Sequence, residues 1–331
     1  MHRLHRIKTI LTEKRQPAQQ QSPTRGADLH SLKSRSVAAW LLVTTFELLA
    51  RAPMRFRLSL GWLLSKLAPL VMPRRAKIAR RNIELCFADK TQAEQQQLLK
   101  DHWRALVQSF IDRSVIWFGS PQEIEAFVTL SGIEHAHHYT DQQLPIMLLA
   151  PHFVGLDAAA SRLTLAGPEG ATIYAEQRNK LIDDFVRLGR GRFHNVHLVS
   201  RKDGIRGLIR LIKQGMPIYY LPDMDLGRRG AALVPFFGVP AYTQMSTAQL
   251  ARQFNLPVLP VISTWDPKTG RYHVEVLPPL DTFPNPANTL EQDTAHLNEL
   301  IEQWILPRAA QYYWVHRRFK HRPEGEPYPY E

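Results

Sequence analysis

From Ser36 to Phe127 apolar residues recur at three- and four-residue spacing, as in "IARRNIELCF" and "LLKDHWRALVQSFIDRSVIWF", a pattern that predicts helices and offers no strand. At "LPIMLLAPH" the pattern changes to a short continuous apolar run, the mark of a buried strand. Similar runs follow at "ATIYA", "VHLVS", "MPIYYLPD", "LPVLPVIST" and "RYHVEVLPPL". Helical stretches separate them: "GLDAAASRLTLA", "KLIDDFVRLGRGRF", "DGIRGLIRLIKQG" and "YTQMSTAQLARQF". Strand alternating with helix predicts an α/β sandwich, a largely parallel central sheet flanked by helices. The segment "LEQDTAHLNELIEQWILPRAAQYYWVHRRF" is helical again and leads into the loose, proline-bearing "KHRPEGEPYPYE".

The two ends break this pattern. Residues 1–35 are polar, with almost no apolar periodicity, and are expected to stay unstructured until bound to something. Residues 36–72 form the expected helical membrane-associating segment. Its apolar stretches, Ser36 to Ala50 and Leu58 to Met72, contain Glu47 or are broken by Lys66 and Pro69, so each falls short of the ~20 apolar residues of a spanning helix. Arg35, Arg51, Arg55, Arg57, Arg74 and Arg75 around them suit an anionic headgroup layer, which favours a helix lying in the membrane surface. The plainer alternative is a pair of buried helices. The catalytic domain is expected over residues 73–323 and a loose tail over 324–331.

Composition narrows the partners. The chain of 331 residues has a formal net charge of +12, which favours acidic partners of any kind: anionic lipid, phosphorylated substrate, acidic carrier protein or nucleic acid. No helix-turn-helix, RNA-recognition or zinc-finger pattern supports the last of these. Cys86 is the only cysteine, which excludes an intrachain disulfide or a cysteine-built zinc site and fits a reducing compartment. The basic start lacks the apolar core of a cleavable signal peptide.

The candidate chemistry sits in "APHFVGLDAAAS". A strand followed by a helix puts the intervening residues at the mouth of the sheet, where α/β proteins bind ligands, and His152 falls there. On a continuous helix Asp157 would lie roughly 140° around the axis from His152. The two can pair only with His152 in the loop and Asp157 in the first helical turn, a geometry that Pro151 and Gly155 allow. A carboxylate on one imidazole nitrogen fixes the tautomer and makes the other a general base. The spacing alone is weak: among 14 histidines it occurs also at His321 and Glu326, in the loose tail. A structural, hydrogen-bonded histidine is the competing reading. Serine-hydrolase, P-loop, dinucleotide and zincin signatures are missing, so the pattern favours direct attack by a substrate group.

The order "APHFVGLD", "GRGRF", "SRKDGIRGLIRLIKQG", "YYLPDMDLGRRGAALVPFFGVPAYT", "LPVLPV" and "QYYWVHRRFKHRP" resembles the late acyltransferases of lipid A biosynthesis, the lauroyl and myristoyl transferases, over about Arg74 to Pro323. These belong to the wider glycerophosphate/lysophospholipid acyltransferase superfamily, which shares the H-x-x-x-x-D element. The resemblance implies transfer of a fatty acyl group from acyl carrier protein to a hydroxyl of an acyl chain on a lipid A precursor. It also implies a place at the cytoplasmic face of an inner membrane. No metal and no cofactor is implied, the carrier thioester being the donor substrate. By position His152 is the base, Asp157 orients it, and Arg190, with Arg192 beside it in "GRGRF", faces the oxyanion. Against these roles stands a solvated basic loop.

Further candidates lie around them. Asp223 and Asp225 follow an apolar strand and so share the sheet edge with His152; holding Arg190 or Arg201, or contacting the sugar headgroup, is favoured over a metal site. Phe236 and Phe237 would wall the acyl pocket or simply fill the core. Arg201, Lys202, Arg206, Arg210 and Lys213 offer a basic surface to the carrier or to lipid phosphates, as do Arg317 and Arg318 in "HRRFK". Each basic set can equally be a solvated surface. The sequence departs from the family pattern where Ala175 stands at a usual arginine position, with Arg178 three residues on as the possible substitute. It departs again in Asp157, where part of the family has Glu, and in the weaker apolar segment near the start. Other acceptors (a lysophospholipid, glycolipid or aminolipid) and a non-catalytic lipid-binding protein are the alternative functions.

Overall fold

The computed structural model describes residues 28–193, 196–201 and 205–330, so most of the tail expected to be loose, residues 1–27, lies outside the described residues. A helical half comes first: α1 (Val37–Arg51), α2 (Met54–Val71), α3 (Pro73–Cys86), α4 (Gln92–Phe118) and α5 (Pro121–Phe127). Strands and helices then alternate through β1 (Val128–Ser131), α6 (Ile133–Thr140), β2 (Met147–Leu149), α7 (Leu156–Ala166), β3 (Gly170–Tyr174), α8 (Lys180–Arg190), β4 (Val196–Ser200), α9 (Ile205–Ile212) and β5 (Ile218–Tyr220). A hairpin, β6 (Ala231–Phe236) and β7 (Val239–Gln244), precedes α10 (Ser246–Gln253), β8 (Val258–Trp265), β9 (Tyr272–Val276) and α11 (Leu290–Ile305).

Local chemistry sets several boundaries. Thr91 with Glu94, and Ser120 with Glu123, close reciprocal capping boxes at the starts of α4 and α5, satisfying N–H groups that the first helical turn leaves unpaired. The seven-stranded sheet runs β1-β9-β8-β2-β5-β3-β4, parallel throughout except for the antiparallel pair β8 and β9. This is the largely parallel α/β architecture expected. The apolar runs behind β2, β3, β4, β5, β8 and β9 all became strands. The short β1 and the β6–β7 hairpin did not stand out in the sequence. In the hairpin each strand carries a proline, and the turn is Phe237–Gly238 with φ of 51° and 71°, left-handed at both positions as a two-residue hairpin turn requires. The helix expected from Tyr242 accordingly starts at Ser246, because Tyr242 to Gln244 complete β7.

Helices α1 and α2 pack on the long α4 through small or half-polar residues, among them Ala39, Val43, Gly61, Ser65 and Ala68. Some of their large apolar side chains, such as Leu42, Phe46 and Leu58, pack inward, but Trp40, Leu48, Phe56, Trp62, Leu63, Leu67 and Leu70 are all exposed. Among the described residues no helix is long and apolar enough to cross a membrane. Residues 28–35 differ from the loose tail expected of them. Leu29–Ser34 forms a 3-10 helix that buries Leu29 and Leu32, and Arg35 bonds Asp184 of α8 at 2.6 Å. The far end is tied down as well: the Tyr330 hydroxyl donates to Asn82 of α3 and accepts from the Phe319 N–H.

Candidate active site

Strands β2 and β5 are parallel neighbours with Leu149 opposite Tyr220. Three residues beyond the first lies His152, and three beyond the second lies Asp223, so equal offsets from paired strand ends set the two side by side at the mouth of the sheet. Asp223 grips the histidine twice: its Oδ1 takes the Nδ1–H at 2.6 Å and its Oδ2 takes the backbone N–H of the same residue at 2.8 Å. The Tyr312 hydroxyl lies close enough to this carboxylate to favour its charged form. Burial opposes ionisation of Asp223, but the charge of His152 and these bonds outweigh it and hold its pKa below the usual value. With Nδ1 donating, Nε2 carries the lone pair, and it has no hydrogen-bond partner among the described residues. Tyr313 N–H donates to the His152 carbonyl at 2.9 Å, fixing the backbone of the loop as well.

Asp157 does not bond His152 as expected. It stands in the first turn of α7, buried, and accepts from Arg113 of α4 at 2.8 Å and from Nε of Arg190, the last residue of α8, at 2.7 Å. Burial raises its pKa, yet the two guanidinium groups overcome this and bring it down to about 2. The physical reason for the different pairing is supply: two half-buried cations compete for this carboxylate, while Asp223 is closer to the imidazole along the strand register. Gly155, N-cap of α7, has an ordinary φ of −77°; a Cβ there would meet Ser263 Oγ at 2.9 Å, so close packing against β8 is what excludes a side chain.

The two aspartates do not hold Arg190 or Arg201 either. Asp225 repeats the Asp223 grip on a second histidine, accepting the His321 Nδ1–H at 2.6 Å and the His321 N–H at 2.9 Å. The N–H of Asp225 donates to Nε2 of His316 at 3.1 Å. His321, noted in the sequence for its spacing to Glu326, is instead tied to Asp225 of the loop after β5.

The remaining candidates divide. Arg178 and Arg201 are exposed and make no ion pair among the described residues, at the ends of loops that leave β3 and β4 on the same side of the sheet as His152. Lys202 lies outside the described residues. Arg206, Arg210 and Lys213 form an exposed stripe on α9 and just beyond it. Arg192 donates to the carbonyls of Ile116 and Gly119, tying the end of α4 to the loop after α8. Arg318 is buried, bonded to the Tyr242 carbonyl and the Thr243 hydroxyl, with its guanidinium 4.8 Å from the Phe236 ring centre; Arg317 is exposed and reaches the Tyr328 hydroxyl. Phe236 is completely buried among Phe237, Tyr312 and Phe319. A small apolar cleft of about 80 Å³ lies elsewhere, between α6, α7 and the sheet, lined by Ala136, Leu148, Ala160, Leu163, Ala171 and Tyr219. Sequence reasoning missed Arg113 and Tyr312 and noticed His316 only as part of the basic "HRRFK"; no local spacing links them to His152, from which they are separated by 39 or more positions.

The sheet and the cluster beyond its strand ends mark the protein as an α/β enzyme of the kind whose functional groups gather at the carboxyl ends of parallel strands. The chain belongs to the bacterial lipid A biosynthesis acyltransferase family, whose model matches residues 25–321. It is 33% identical over 292 residues to the lipid A biosynthesis lauroyltransferase of Escherichia coli K12, covering 88% of this chain and 94% of that protein. It is 34% identical over 269 residues to a lipid A biosynthesis acyltransferase of Haemophilus influenzae, covering 80% and 83%. To the lipid A biosynthesis myristoyltransferase of E. coli K12 it is 28% identical over 297 residues, covering 88% and 90%. The resemblance read from the sequence motifs is thus a family membership.

Proposed function

We propose that this acyltransferase moves a fatty acyl group from acyl carrier protein to a hydroxyl of an acyl chain on a lipid A precursor, forming an acyloxyacyl ester, with His152 as general base. The observation that carries the reading is the buried Asp223 on Nδ1 of His152, which leaves an unpartnered, proton-accepting Nε2 at the sheet mouth. Nε2 takes the hydroxyl proton as the oxygen attacks the thioester carbonyl. A C–O bond forms, the tetrahedral oxyanion collapses, the C–S bond breaks, and the imidazolium returns its proton to the leaving carrier thiolate. Asp223 stabilises the imidazolium in between. Asp157 acts through Arg190: by engaging Nε it aims the remaining guanidinium N–H groups, which are the cationic donors near the developing charge.

Arg178 and Arg201 fit the anionic groups of the acceptor or the carrier, and the exposed apolar side of α1 and α2, flanked by Arg51, Arg55 and Arg74, fits the surface of an anionic inner membrane at its cytoplasmic face. Phe236, sealed in the core, packs the protein interior rather than walling an acyl pocket. The test is product analysis by mass spectrometry, with an acyl-carrier thioester and a lipid A precursor as substrates. Wild type should add one acyl chain to the precursor and His152→Ala should not. A lysophospholipid taken as acceptor instead would redirect the reading, and undiminished acylation by His152→Ala would remove the base.

A further inference from the structure

The segment that follows the 3-10 turn Leu306–Gln311 wraps the site. The Tyr312 hydroxyl lies near Asp223, Tyr313 N–H bonds the His152 carbonyl, and His316 comes next. The backbone of His316 is held in place, since its carbonyl accepts from the Asn82 side chain at 2.6 Å and from the Arg318 N–H at 2.9 Å. Its ring is only partly exposed and is close enough to His152, Asp223 and Asp225 for their charges to act on it.

The tautomer of that ring is decided by one contact. A peptide N–H can only donate, so the 3.1 Å bond from Asp225 N–H makes Nε2 the acceptor and leaves the proton of the neutral ring on Nδ1. Burial, then the charges of His152 and Arg318, push the His316 pKa down to about 3, against the pull of the two aspartates, so the ring stays uncharged through the neutral range. Nδ1 has no partner among the described residues and is not among the sealed-off polar atoms of the interior. A neutral imidazole with one committed nitrogen and one available N–H, beside a basic imidazole, is a fixed donor that costs no reorganisation during reaction.

Resting on the acyl-transfer reading above, we infer that His316 donates its Nδ1–H to the thioester carbonyl oxygen as that oxygen becomes an oxyanion, as a second donor alongside Arg190. In the step itself the C=O π pair moves onto oxygen as the acceptor oxygen bonds to carbon, and returns as the C–S bond breaks. The Nδ1–H is shared with the oxygen but not transferred.

The experiment compares His316→Ala, His316→Asn and His316→Gln, using a dodecanoyl thioester of acyl carrier protein and a lipid A precursor, with thermal midpoints measured alongside. An Asn amide reproduces a donor at the Nδ1 position, whereas Gln reaches the Nε2 position. Expected is a loss in kcat of about 10²–10³-fold for His316→Ala, the size of an oxyanion-donor deletion, with the donor KM and the pH profile set by His152 little changed. Asn should recover at least ten-fold of that loss, and Gln should recover less. The inference is overturned if His316→Ala keeps kcat within three-fold of wild type. It is equally overturned if Gln rescues and Asn does not, which would make His316 a prop for the Asp225 peptide. A displaced pH profile in His316→Ala would show that it acts on His152 instead and also overturn it. An active His152→Ala control would refute the base reading separately from this one.

Discussion

Replacing Asp223 by Asn keeps the shape of the site but removes an acceptor that the histidine needs twice. In the native arrangement one carboxylate oxygen receives the His152 N–H at 2.8 Å and the other its Nδ1–H at 2.6 Å. An amide has one acceptor oxygen and one donor nitrogen, so one of the two bonds is lost. If the amide N–H faces Nδ1, the ring switches to its other tautomer, Nε2 becomes protonated, and the base is gone. The corresponding change in a Ser-His-Asp triad lowers kcat about 10⁴-fold, equivalent to about 5.5 kcal/mol of barrier at about 1.4 kcal/mol per decade. We expect kcat for acyl transfer by Asp223→Asn to fall by about 10³–10⁴-fold. Asp157→Asn provides the comparison. It weakens the hold on Arg190 and Arg113 and should reduce kcat without displacing the pH dependence. The assay is the pH dependence of kcat for both variants at saturating donor. An Asp223→Asn enzyme within ten-fold of wild type, or a displaced profile in Asp157→Asn alone, would refute the assignment of Asp223 as the carboxylate behind His152.

Two further expectations concern stability and the membrane. Asp112 is buried on α4, accepting from Gln108 and from the Tyr272 hydroxyl, and burial raises its pKa to about 7 against those bonds and the charge of Arg57. The folded protein thus keeps this proton where the unfolded chain loses it. The stabilisation is complete below about pH 4 and is lost as pH rises towards 7, at no more than about 1.4 kcal/mol per pH unit. Urea midpoints at pH 5 and pH 8 should therefore differ more for wild type than for Asp112→Asn, and equal differences would contradict this. On the outer side of α2, Trp62, Leu63 and Leu70 are 49%, 51% and 75% exposed. Changing all three to Ser should weaken co-sedimentation with phosphatidylglycerol vesicles about ten-fold or more while leaving the thermal midpoint nearly unchanged. Unaltered vesicle binding would send the membrane contact elsewhere.

The spacing of apolar residues by itself determined that this chain builds a helical half followed by alternating strands and helices, because burial demands period 3.6 from a helix facing a core and a continuous run from a strand covered on both sides. It also placed His152 at the sheet mouth, since a strand end followed by a small-residue helix start is a local property. Which carboxylate serves that histidine was not local. Asp157, five residues away, is drawn to Arg113 and Arg190, while Asp223, distant in the chain, is brought level with His152 by the register of β2 against β5. Strand order decides that register, and no spacing within one segment encodes it. For the same reason the second pair, Asp225 with His321, and the committed nitrogen of His316 emerged only when the C-terminal segment folded back over the loop after β5. Proximity created by tertiary packing, rather than residue type, gives His152 its buried carboxylate partner.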